Sequence, residues 1–162
     1  MIGEKMQKAL NAQIKEEMGS AHIYLSMTAY FHSEGWDGMA HWMRVQTREE
    51  LGHAMKLFEY IVERDGRVEI PALDQPKQEW DSPLAAFQNA YKHEQYITGK
   101  IDELVELAAA EKDNASSAFL QWYVTEQVEE EASALKIVNL LERIGDSPNG
   151  LIMLDVHLGK RE

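Results

Sequence analysis

Apolar residues recur at steps of three and four through four long stretches of the chain, the spacing that keeps side chains on one face of a helix. The first stretch runs from about Lys5 to Ser33 and breaks at Gly35. The second runs from Asp37, which reads as an N-cap, to about Asp65, with Gly66 as the stop. Next comes RVEIPALDQPKQEWDS, whose Pro71 and Pro76 mark an extended connection over about residues 67–81. Ser82-Pro83 is a cap-plus-first-turn signal, and it opens a third helix over about residues 82–111. Asn114 reads as the cap of a fourth helix, to about Ile144, stopped by Gly145. Ser147-Pro148 repeats the signal for a short fifth helix over about residues 148–158. RVEI has some extended character, but no strand pattern competes with the helices.

The connection lengths predict the topology. Short joints link helices one and two, and three and four, so each pair forms an antiparallel hairpin. The middle connection, extended at about 3.3 Å per residue, reaches roughly 50 Å, whereas a 26-residue helix is only about 39 Å long. It can therefore cross the whole bundle and start helix three parallel to helix two. The expectation is a single all-α domain over residues 1–162, a four-helix bundle with one long crossover and a short fifth helix. A faint internal repeat accompanies it at a spacing of 77 residues: Leu10 falls on Phe87, Ile14 on Tyr91, Trp42 on Phe119 and Ile61 on Val138.

Each of the four stripes is broken near its middle by a polar residue. The first reads Leu10, Ile14, Glu17, Ala21, Tyr24, Thr28, and the second Met43, Thr47, Glu50, Ala54, Leu57, Ile61, with His53 one turn from Glu50. The third reads Phe87, Tyr91, Glu94, Ile97, Ile101, and the fourth Leu120, Tyr123, Gln127, Glu130, Ala134, Ile137. The repeat maps these exceptions as well: Glu17 on Glu94, Glu49 on Glu126, Glu50 on Gln127 and His53 on Glu130. A lone Glu on an amphipathic helix is ordinarily a surface residue. Four at one depth would leave buried charges costing several kcal/mol each, and the stripes carry no Lys or Arg to pair with them. Bound cations resolve this, because two divalent ions balance Glu17, Glu50, Glu94 and Glu130. Carboxylates with one imidazole suit Fe²⁺ or Mn²⁺; structural zinc would want Cys or more His.

Composition narrows the function further. A net charge of −12 disfavours nucleic acid and draws cations. No window is apolar enough for a membrane span and the charged N-terminus is no signal peptide. The absence of cysteine excludes disulfides, thiolate catalysis and iron–sulfur clusters and leans towards a cytoplasmic protein. No Gly-rich phosphate loop or serine-nucleophile elbow occurs. His22, His32, His41, His93 and His157 read as surface or boundary residues.

The chain resembles the non-haem ferritins of bacteria and archaea, through KALNAQIKEEM, AHWMRVQTREELGHAMKLFEYI, EWDSPLAAF, FLQWYVTEQVEEEAS and LIMLDVHLG. The resemblance implies a ferritin-like bundle and a ferroxidase that oxidises Fe²⁺ with O₂ or H₂O₂. The ferric product would be stored as mineral inside a homo-oligomeric shell of 24 subunits. One iron would be held by Glu17, Glu50 and His53, the second by Glu50 as a bridge with Glu94 and Glu130. A looser third iron site would match Glu49, Glu126, Glu129 and Glu130. Gln127 is a weak ligand or a supporting neighbour, and Tyr24 and Trp122 are candidate donors or electron sources beside the irons, or plain core aromatics. Haem is not expected, because Leu51 stands where bacterioferritins place their haem-ligating Met. Two rival readings are a rubrerythrin-like di-iron peroxidase and a non-catalytic helical interaction bundle whose polar layer sets register.

Overall fold

The computed structural model describes the whole chain, Met1–Glu162. It is all-helical, with α1 at Glu4–Ser33, α2 at Asp37–Glu63, α3 at Pro83–Ala110, α4 at Asn114–Ile144 and α5 at Pro148–Leu158. Cross-chain contacts fix the directions. Lys5 meets Glu111, Glu16 meets Tyr96, and Ser20 meets His93, so α1 and α3 run antiparallel. Gln46 meets Glu130, the His53 carbonyl meets Tyr123, and Tyr60 meets Ser116, so α2 and α4 are antiparallel too. With α1 and α2 a hairpin, α3 must lie parallel to α2, and residues 64–82 run the length of the bundle without regular structure.

The helix ends show where local signals decide and where they do not. Ser82 and Ser147 cap as expected, accepting the N–H of Ala85 at 3.0 Å and of Gly150 at 3.3 Å. Gly35 and Gly145 adopt positive φ, +80° and +56°, a conformation open to Gly at little cost. Three expectations need correction. The cap of α4 is Asp113, whose carboxylate accepts the Ser116 N–H at 3.1 Å; Asn114 is already helical. Asp37 caps nothing; it is the first residue of α2 and pairs with His32 at 2.9 Å. The open Met39 N–H is instead satisfied by Asp155 of α5, at 2.8 Å. At the far end of α2 the left-handed residue is Asp65, not Gly66. Gly66 is needed for room, since a Cβ there would lie 2.9 Å from Ile2, Gln7 and Ile61 side chains.

Apolar side chains form two clusters. One, near α5, gathers Met27, Phe31, Met39, Met43, Phe87, Leu141, Leu154 and Leu158 among others. The other, at the opposite end, gathers Met6, Leu10, Ile14, Leu57, Ile61, Ile97, Ile101 and Leu120. Burying each such side chain contributes about 1.5–3 kcal/mol, so the bundle is held at both ends. Between the clusters lies a layer of polar side chains. The fifth helix covers one end, with Leu154 and Leu158 buried and Ile152, Met153 and Val156 exposed.

Candidate metal centre

The polar layer draws one or two residues from every long helix. Glu17 comes from α1, Glu50 and His53 from α2, Glu94 from α3, and Gln127 and Glu130 from α4. All six are buried, and the four glutamates are only 1–6% exposed. Their ligating atoms converge in two adjoining groups, Glu17–Glu50–His53 and Glu50–Glu94–Glu130, with every atom of a group within 4.8 Å of the others. Glu50 belongs to both. No Lys or Arg forms an ion pair with any of the four glutamates; the basic group nearest them is His53, with Nδ1 3.2 Å from Glu50 Oε2 and 3.9 Å from Glu17 Oε2.

Neutral donors hold one carboxylate oxygen of Glu17, Glu50 and Glu130 and both oxygens of Glu94. The Gln13 amide donates to Glu17 Oε1 at 2.8 Å. The Gln46 amide donates to Glu50 Oε1 at 3.2 Å and to Glu130 Oε2 at 2.6 Å. The Tyr24 hydroxyl donates to Glu94 Oε1, and the Gln127 amide to Glu94 Oε2 at 3.2 Å. Glu17 Oε2, aimed into the layer, has no hydrogen-bond partner. A buried oxygen left bare is costly, and here it points at the space shared with Glu50 and His53.

Burial and mutual repulsion tune these acids in one direction. Burial, with the Glu50 charge second, pushes Glu17 up to about 8. Burial and the neighbouring Glu94 push Glu130 up to about 7. Glu50 is raised well above the carboxylate range by burial and then by Glu94 and Glu130. Glu94 is raised by burial, against the opposing bonds from Tyr24 and Gln127. Without a cation the layer holds protons; a divalent ion of matching size would displace them. Carboxylate oxygens with one imidazole nitrogen form a donor set suited to Fe²⁺.

The residues expected to form a third site are only partly together. Glu126 Oε1 lies 3.8 Å from His53 Nε2 and groups with His53 and Glu130. Glu49 turns away and pairs with Arg161 at 2.5 Å, and exposed Glu129 joins no group. Trp122 sits edge-on to the His53 ring, 5.4 Å between centroids, with Lys56 Nζ over its face at 4.5 Å. Gln13, Gln46 and Arg161 were not foreseen. The one signal for the two glutamines is their position four residues before Glu17 and Glu50, where a side-chain amide meets the carboxylate on the same helix face.

Residues 7–144 match the ferritin-like domain. The chain is 45% identical over 161 residues to the bacterial non-heme ferritin of Bacteroides fragilis, covering 99% of this chain and 100% of that one. It is 40% identical over 158 residues to the bacterial non-heme ferritin of Campylobacter jejuni, covering 98% and 95%. Among solved structures it superposes on the open pore ferritin of the hyperthermophilic archaeon Archaeoglobus fulgidus with a TM-score of 0.99 and 56% identity, over 100% of this chain and 99% of that one. With a four-glutamate layer in a crossover bundle and likeness of this extent in both sequence and structure, the chain belongs to the non-haem ferritin family.

Proposed function

We propose that this chain is an iron-storage protein with ferroxidase activity, which binds two Fe²⁺ ions side by side in the mid-bundle layer and oxidises them to Fe³⁺. Glu17, Glu50 and His53 hold one ion; Glu50, Glu94 and Glu130 hold the other. The observation that carries this reading is Glu50, shared by two buried ligand groups that have no Lys or Arg counter-charge. Four carboxylates balance two divalent substrate ions, so occupancy by a pair leaves the layer neutral where a single ion leaves it charged.

Each Fe²⁺ gives one electron, so two neighbours together supply the two electrons that take O₂ to H₂O₂, or H₂O₂ to water. The protein's own part is electrostatic and positional. Gln13 and Gln46 hold one oxygen each of Glu17, Glu50 and Glu130, which leaves the other oxygen of each to face an ion, and Tyr24 and Gln127 fix the Glu94 carboxylate through both of its oxygens. The protons that burial keeps on the glutamates are released as the ions enter. The net charge of −12 concentrates cations around the chain. Storage follows from assembly of copies into a hollow shell of 24 chains, with the ferric product deposited inside. No helix is long and apolar enough to cross a membrane, and a chain without cysteine suits the cytoplasm.

Stopped-flow oxidation of Fe²⁺ by the wild type and by Glu17→Ala, His53→Ala and Glu130→Ala tests the assignment. The fast phase should slow by at least about tenfold in each variant. Traces that superpose on the wild type in all three would refute it.

A further inference from the structure

Thr98, Gln127 and Glu131 line the groove between α3 and α4, with Ile101 and Leu135. Behind the groove lies the buried polar layer, and Gln127 belongs to both. Its amide nitrogen meets three acceptors: Glu94 Oε2 at 3.2 Å, the Glu94 carbonyl at 3.2 Å and Thr98 Oγ1 at 3.3 Å. Thr98 Oγ1 in turn lies 2.6 Å from Glu131 Oε1 and 3.0 Å from the Glu94 carbonyl, one turn back on α3. Thr98 and Glu131 are half-buried, whereas Glu94 and Gln127 are buried. A line of contacts, Glu131–Thr98–Gln127–Glu94, therefore runs from the groove to a ligand of the layer.

A hydroxyl has one hydrogen to give. A bond to a carboxylate is stronger than one to a neutral carbonyl, and the Glu131 contact is also the shorter, so the Thr98 proton goes to Glu131. The Thr98 oxygen is then left to accept, and the group facing it must be a donor. That donor is the amide nitrogen of Gln127. With the amide reversed, its carbonyl would face an oxygen with no proton left to offer, and would lie against the Glu94 carboxylate as well. Without Glu131 the Thr98 proton is free to turn to Gln127, and the reversed amide becomes an alternative that gives up Glu94 Oε2. The attraction of Glu94 for the amide weakens once an ion shares the charge of that carboxylate. The acceptor at Thr98 is untouched by the ion.

We propose that Thr98 and Glu131 are positioning residues: they fix the orientation of the Gln127 amide, and the amide holds Glu94 towards the ion that Glu94 shares with Glu50 and Glu130. This rests on the two-iron reading of the layer. Neither residue touches an ion. Loss of the pair weakens the ion at Glu94 and spares the one held by Glu17, Glu50 and His53.

Anaerobic Fe²⁺ titration calorimetry on the assembled protein tests it. Glu94→Ala identifies the equivalent in question as the one it removes, and Glu17→Ala identifies the neighbouring one in the same way. In Thr98→Val and in Glu131→Leu the Glu94 equivalent should bind about tenfold more weakly, the lower end of what losing a ligand's hydrogen-bonded neighbour does. The Glu17 equivalent should keep its affinity. Thr98→Ser, which keeps the hydroxyl, and Glu131→Gln, which keeps an acceptor without the charge, should both bind as the wild type does. Thr98→Val added to Gln127→Leu should cause no further loss, because the route runs through the amide. A clamp that merely joined α3 to α4 would weaken every equivalent and would go on costing affinity in the Gln127→Leu background. Either of those results overturns the positioning role alone. So does wild-type affinity in Thr98→Val and Glu131→Leu, or a Glu131→Gln variant as weak as Glu131→Leu. Should Thr98→Val not fold, the half-buried Glu131 pair of variants carries the same comparison. A Glu94→Ala variant that loses no equivalent overturns the two-iron reading, and the positioning role with it.

Discussion

Replacing Glu17 by Gln separates the stability of the metal-free protein from its capacity to hold iron. Glu17 is 1% exposed and its carboxyl is raised from 4.5 to about 8, chiefly by burial. Between those two values the folded chain keeps a proton that the unfolded chain has lost. The contribution of Glu17 to stability therefore falls as pH rises through this window, and that contribution is level below 4.5 and above 8. Each pH unit carries about 1.4 kcal/mol, so the whole window is worth at most about 5 kcal/mol. Unfolding entropy near 2.1 cal/mol/K per residue gives roughly 0.34 kcal/mol/K for 162 residues. The ceiling corresponds to about 15 °C in Tm. The Glu17→Gln variant keeps a carbonyl oxygen for the Gln13 amide and has no charge to bury. Its Tm should match the wild type near pH 4.5 and exceed it increasingly up to pH 8. The assay is thermal unfolding by circular dichroism, in chelator, at fixed protein concentration and scan rate, from pH 4.5 to 9. The same variant should lose one of the two Fe²⁺ equivalents. Tm curves that run parallel across the whole pH range would show that Glu17 carries no buried proton, and the electrostatic argument for the layer would fail.

Other perturbations read different parts of the structure. Tyr24→Phe removes the hydroxyl that donates to Glu94 Oε1; it should cost about 1–2 kcal/mol and move the pH midpoint of Fe²⁺ binding upward, measured by titration at a series of pH values. Gln46→Leu strips the amide from both Glu50 and Glu130 and should also shift that midpoint upward, whereas an unchanged midpoint would mean the amide does not tune the ligands. At Gly38 a Cβ would lie 1.7 Å from the Asp155 carbonyl, so Gly38→Ala should lift α5 off α2; size-exclusion chromatography should then show loss of the assembled form. Gly66→Ala meets three side chains at 2.9 Å and should destabilise by about 1–3 kcal/mol in denaturant unfolding.

The family was legible in the sequence, and so were most of the residues of the buried polar layer. Helical period is a local property, so four stripes, their caps at Ser82 and Ser147, and the interruptions at Glu17, Glu50, His53, Glu94 and Glu130 could be read one segment at a time. Bundling four such stripes forces their mid-points to one depth, and charge balance then calls for cations. What each carboxylate does with its second oxygen could not be read that way. Gln13 and Gln46 look like ordinary boundary residues until α1 and α2 are packed and both are found buried. Glu49 and Glu50 are neighbours in sequence, yet a helix turns successive residues by about 100°. Glu50 faces the buried polar layer and Glu49 faces Arg161, 112 positions along the chain. In the same way the cap of α2 comes from Asp155 of α5, 116 positions from Met39. Sequence periodicity settles which face of a helix is buried. Only the packing of the helices against one another decides which distant group meets a given side chain, because a hydrogen bond or an ion pair needs partners placed to within a fraction of an ångström.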